Sequence, residues 1–155
     1  MIAIPVRRKE VIMGKVRNIL ETKKTDPVVI NPDNTVFEAL ELMFEKNIGA
    51  LLVMDQEKFV GIFTERDYAR KVILKGKASR EIMISEIMTQ NPVTVSSDTT
   101  IEDCMSMMTD KFIRHLPVID DEKLTGIISI GDVVKFIIED QQYIIGNLEH
   151  FITGM

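Results

Sequence analysis

The sequence predicts an α+β fold built from two copies of one β-α-β-β-α unit. Two observations carry this: the chain aligns with itself, and the spacing of its apolar residues switches between strand and helix at matching points of both copies. Residues 27–74 fall on 92–139 without a gap, at an offset of 65 positions. About fifteen of the aligned pairs are identical, where chance gives about two or three. They include Pro27 with Pro92, Asp33 with Asp98, Thr35 with Thr100, Met43 with Met108, Asp55 with Asp120, Gly61 with Gly126 and Asp67 with Asp132.

Each element of the unit has a local cause. Val28, Val29 and Ile30 read as a short strand, stopped by the turn formers Asn31-Pro32-Asp33-Asn34. Thr35 and Glu38 have the spacing of a capping box, and Val36, Leu40, Met43 and Phe44 recur on one helical face. Ile101, Met105 and Met108 repeat that face. The apolar run 48–53, the polar turn 55–58 and the run 59–64 form a hairpin, and residues 67–74 return as a helix that Gly76 ends. A unit of about fifty residues cannot bury both faces of a three-stranded sheet, so the two sheets are expected to pack on each other. The organisation read from this is a flanking segment 1–22, repeat one 23–76, a linker 77–88, repeat two 89–140 and a flanking helix or tail 141–155. Val11 to Leu20 in the first flank is expected to form a helix or an arm.

Composition narrows the function. The chain has 155 residues, 45% hydrophobic and 28% charged, the proportions of a folded globular protein. Its net charge of −5 and pI near 5.1 argue against wide contact with a nucleic-acid backbone. Cys104 alone closes no intrachain disulfide, no apolar run approaches the roughly 20 residues of a membrane span, and the basic residues Arg7, Arg8 and Lys9 follow the first apolar stretch rather than precede it. The expectation is a cytoplasmic protein with no membrane span. His115 and His150 lie far apart with no ligand partner at metal-site spacing, and Cys104 falls on the apolar side of a helix. The methionines fit core filling, and neither a phosphate-binding GxxxxGK loop nor a GxGxxG element is present. Binding without catalysis is the coherent reading.

The candidate site is the passage from strand to helix that occurs twice, Gly61-Ile62-Phe63-Thr64-Glu65-Arg66-Asp67 and Gly126-Ile127-Ile128-Ser129-Ile130-Gly131-Asp132. A hydroxyl and a carboxylate stand three residues apart at a helix start. Free N–H groups and the helix dipole favour phosphate there, and a carboxylate accepts two hydrogen bonds from a ribose diol. The same spacing is also a capping box, and a duplicated cap repeats as well. The copies differ in their basic residues: Gly49-Ala50 becomes Arg114-His115, and Arg66 becomes Gly131. Arg66, Arg114 and His115 suit an anion, Gly131 leaves room for close backbone approach, and the second cleft gathers more polar groups than the first.

The tandem units, the stretch Ile113-Arg114-His115-Leu116-Pro117-Val118 and the two Gly-apolar-apolar-Ser/Thr-x-x-Asp elements resemble a pair of cystathionine beta-synthase (CBS) domains. The flanks Val16-Arg17-Asn18-Ile19-Leu20 and Phe151-Ile152-Thr153-Gly154 resemble the ends of small stand-alone members, so the chain is expected to be a complete small protein. The resemblance implies a pseudo-twofold module with two clefts for adenosine ligands such as AMP, ATP or NAD, and less readily S-adenosylmethionine. It implies a homodimer and an unidentified regulated protein. Asp67 and Asp132 match the ribose-binding aspartates, Thr64 and Ser129 the hydroxyls near ribose or phosphate, and Arg114 and His115 the basic pair that reaches phosphate. Pro117 belongs to the same stretch. Adenine is expected between Val28 and Ile48 in the first cleft and between Val93 and Ile113 in the second. The alternative is a structural interaction or dimerisation protein with non-binding clefts.

Overall fold

The computed structural model describes residues 13–153. Val11 and Ile12 of the expected flanking helix or arm, the rest of 1–12, and Gly154 with Met155 lie outside the described residues. In order, the elements are α1 (Val16–Thr22), β1 (Val29–Ile30), α2 (Val36–Lys46), β2 (Ala50–Asp55), β3 (Lys58–Thr64), α3 (Glu65–Tyr68) running into a π-helical turn (Ala69–Ile73), α4 (Ile84–Ile87), β4 (Thr89–Gln90), α5 (Ile101–Lys111), β5 (His115–Asp120), β6 (Lys123–Ser129) and α6 (Ile130–Thr153). No helix among the described residues is long and apolar enough to cross a membrane.

Repeat one forms a sheet of order β1-β2-β3-β4, with β1 parallel to β2 and the other pairs antiparallel. Thr35 caps α2 as its spacing predicts: its hydroxyl accepts from Glu38 N, and the Glu38 side chain returns to Thr35 N. Repeat two departs from the expected unit. Its hairpin β5–β6 is intact, but its first strand is reduced to a parallel bridge between Val95 and Val118. The cause is Pro117. In repeat one Leu52 N donates to Val28 O at 3.2 Å; the matching residue in repeat two is Pro117, which has no N–H to give Val93.

The two sheets meet face to face. Ala50, Leu52 and Ile62 are buried there, with Phe59 on the same side and Leu124 and Ile127 of β6 packed against them. Away from this interface each repeat has its own core, and each core contains a helix from outside its β-α-β-β-α unit. Val16 and Ile19 of α1 lie in the core of repeat two, with Val95, Ile101, Leu116 and Ile128. Ile84 and Ile87 of α4 lie in the core of repeat one, with Val36, Leu51 and Phe63. The chain enters both helices through matching bonds. Val16 N donates to Thr99 O and Arg17 N to Ser97 O; Ile84 N donates to Asn34 O and Ser85 N to Pro32 O.

Gly61 and Gly126 are the places where these segments cross the strands. A Cβ on Gly126 would lie 2.8 Å from Leu20 Cδ2, and one on Gly61 would lie 2.7 Å from Thr89 O and 3.0 Å from Met88 Sδ. Leu20 rotates away more readily than a backbone carbonyl withdraws. Gly61→Ala is therefore expected to cost about 2–3 kcal/mol and Gly126→Ala about 1 kcal/mol in urea unfolding. Equal costs would contradict the role given to the Thr89 carbonyl.

Candidate binding site

The two aspartates of the repeated motif end in different surroundings. Asp67 is buried. Its Oδ2 accepts from Thr64 N at 3.0 Å and Thr64 Oγ1 at 3.2 Å, and its Oδ1 accepts from Thr89 Oγ1 and Lys71 Nζ, both at 3.0 Å. Both carboxylate oxygens are taken by protein donors, one of them from β4. Asp132 is more open, with 23% of its side chain exposed against 9% for Asp67. Its hydrogen bonds come from Ser129 N at 2.9 Å and Lys23 Nζ at 2.7 Å, and both fall on Oδ2. Burial raises the Asp132 pKa, but the Lys23 ammonium and the Ser129 donors outweigh it and hold the carboxyl below its ordinary value.

The helices behind the motifs differ as well. Thr64 opens α3, a single turn that passes into the π-helical segment. Ser129 opens α6, whose 24 residues present a full helix dipole; Ser129 Oγ accepts from Asp132 N at 3.1 Å.

Arg114, His115, Ser129, Gly131 and Asp132 gather at this end of β5 and β6. His115 pairs with Ser129 across the hairpin, and Ile130 N donates to Arg114 O at 2.9 Å. Arg114 is exposed, as is Gly131, where a Cβ would meet only Ser129 Oγ at 3.6 Å. Repeat one approaches this group closely: a Cβ on Gly49 would stand 3.6 Å from His115 Cε1 and 3.5 Å from Glu65 Oε1. Arg66 does not join this group. Its guanidinium donates to the carbonyl of Phe112, the residue that ends α5. Val28 and Ile48 are half-buried against the core of repeat one, and Val93 and Ile113 against that of repeat two. Pro117 is buried within β5, where its structural effect is the shortened ladder. Sequence reasoning missed Lys23, Lys71 and Thr89. Only Lys71, one helical turn beyond Asp67, had a local signal.

Cys104 is fully buried, and burial pushes its thiol up to about 11, so it offers no nucleophile at neutral pH.

A profile of the CBS domain matches residues 16–74 and again 84–139. The chain belongs to the CBS domain family. It is 39% identical over 127 residues to the mitochondrial CBS domain-containing protein CBSX3 of Arabidopsis thaliana, covering 79% of this chain and 62% of that protein's length. Its fold matches the structure of a protein with CBS domains from Burkholderia ambifaria, with a TM-score of 0.77 and 45% identity over 83% of this chain and 96% of that one. It also matches CBSX2 in complex with AMP, with a TM-score of 0.67 and 28% identity over 83% of this chain and 99% of that one.

His115 gives the CBS pair a pH signature. Burial, then the Lys23 ammonium, lowers its pKa below the ordinary 6.5; Glu65 and Asp132 oppose this, and Arg114 adds to it. The unfolded chain therefore takes up this proton at a higher pH than the folded one. The stability tied to neutral His115 is complete above pH 6.5 and is lost as pH falls toward the folded pKa. His115→Gln is expected to flatten the fall in melting temperature between pH 7 and pH 5.5. An unchanged slope would remove His115 as its source.

Proposed function

We propose that this CBS pair is a regulatory module that binds one adenosine 5′-phosphate ligand per chain, without catalysis, in the cleft formed by β5, β6 and the start of α6. AMP is the first candidate, with ATP and NAD sharing its recognition elements. The contrast between the aspartates carries the reading: Asp132 is only partly buried and is bonded through one oxygen, whereas Asp67 is buried and has donors on both. A ribose diol finds acceptor capacity on Asp132. The phosphate finds the N-terminus of α6, the Arg114 guanidinium and the nearby Lys23 ammonium. A cationic sulfonium ligand is poorly suited to that group of cations. The AMP complex of the related CBSX2 supports the same ligand class.

The ligand is expected to alter the surface offered to a regulated protein, because the cleft is built from elements of both repeats and from α1. Two chains are expected to pair through α6. Ile130, Val134, Ile138, Ile145 and Leu148 form an exposed apolar stripe along it, and Lys135 with Glu139 gives complementary charges to an antiparallel second copy.

Calorimetric titration with AMP is expected to show one site per chain. Asp132→Asn should weaken binding by about 10-fold or more, from the loss of charge-assisted hydrogen bonds. Asp67→Asn should cost about 1–3 kcal/mol of stability and leave affinity within about 3-fold. The reverse pattern would move the site to the first cleft, and no heat with any adenosine ligand would favour a purely structural role. In sedimentation, Ile138→Glu is expected to convert dimers to monomers; an unchanged mass would place the pairing elsewhere.

A further inference from the structure

Lys23 lies outside both strand-to-helix motifs, yet it occupies the second cleft. It terminates α1, and its ammonium donates to Asp132 Oδ2 at 2.7 Å and to the Ile127 carbonyl at 3.0 Å. Its side chain is 27% exposed, so the ion pair is partly shielded from water. The first cleft is arranged otherwise: the ammonium on Asp67 comes from Lys71 of the same helical segment, while Phe136 takes the matching position in repeat two and packs on its core.

An ammonium bound to the carboxylate that a ribose needs has two consequences. A diol that bonds both carboxylate oxygens finds Oδ1 open but must compete with Nζ for Oδ2. A neutral nucleoside that succeeds leaves a half-buried ammonium with the Ile127 carbonyl as its remaining partner among the described residues, which is costly. A nucleoside 5′-phosphate gives back an anionic partner. The place for that phosphate is close by, because Lys23 and Arg114 both act electrostatically on His115, which pairs with Ser129 at the start of α6.

We propose that Lys23 is a specificity residue of the second cleft, which bars unphosphorylated nucleosides by holding Asp132 and admits nucleoside 5′-phosphates by transferring its ammonium to the phosphate. This rests on the reading of the cleft as an adenosine site. It also gives Lys23 a role distinct from that of Arg114, which only attracts the phosphate: loss of Arg114 weakens AMP and leaves adenosine unchanged, whereas loss of Lys23 changes the two ligands in opposite directions.

The test is calorimetry of the full chain with adenosine and with AMP, for the unaltered protein, Lys23→Met and Lys23→Arg. The unaltered protein is expected to favour AMP strongly. Lys23→Met should bind adenosine about 5-fold tighter and AMP about 10-fold weaker, and Lys23→Arg should keep most of the preference, because each change removes or retains one charge-assisted bond. Thermal unfolding of each variant confirms that α1 stays docked, and Lys23→Gln carries the same comparison if methionine unsettles it. An AMP-to-adenosine ratio in Lys23→Met equal to that of the unaltered protein overturns the role of Lys23 alone. An unaltered protein that binds neither ligand overturns the adenosine site and this proposal with it.

Discussion

Val16 and Ile19 sit in the core of repeat two although their helix precedes repeat one, and much of the molecule follows from that placement. Each unit of roughly fifty residues is too small to close its own core, and the added helix supplies the missing apolar surface. Two fully buried aliphatic side chains are worth about 3–6 kcal/mol together, a large share of the roughly 5–15 kcal/mol that separates folded from unfolded domains. Ile84 and Ile87 do the same for repeat one. The crossings demand glycine at 61, against a backbone carbonyl, and favour it at 126, against a side chain, and the α1 crossing also delivers Lys23 to Asp132. A packing requirement of the fold thus places a charge in the cleft.

The repeat made most of this legible beforehand. Matching offsets revealed the hairpins, the capped helices and the sheet-to-sheet contact, because these depend on local spacing that duplication writes twice. The second strand-to-helix motif likewise named Ser129 and Asp132, and the differences between the copies named Arg114 and His115; the hairpin register then sets His115 beside Ser129. What stayed hidden is long-range. Lys23 reaches Asp132 across most of the chain, and Thr89 reaches Asp67 from the short strand that follows α4 and pairs with β3. The shortened first strand of repeat two was readable in principle, since proline at 117 announces a missing donor, but only once Leu52 is known to use its own. Arg66 was grouped with the anion partners by charge; its geometry assigns it to the carbonyl that ends α5.

Duplication followed by divergence explains why the clefts differ. The same hydroxyl and carboxylate serve as a satisfied cap in repeat one and as a cap with spare acceptor capacity in repeat two. The capping and ligand readings of this motif are therefore not rivals. A capping box fixes the carboxylate, and whether an oxygen remains available depends on which neighbours arrive: Thr89 and Lys71 around Asp67, Lys23 alone beside Ser129 around Asp132. A single α6, long enough to carry a full dipole, adds to the anion preference of the proposed second site.

The most direct test of the second cleft as the binding site is the map of backbone amide shifts on adding AMP to the isotopically labelled chain. The expected result is a contiguous set of changes at Arg114–His115, Ser129–Asp132 and Lys23, with Thr64–Asp67 unmoved. Shifts confined to Thr64–Asp67 and their neighbours in repeat one, or no shifts at saturating ligand, would contradict it.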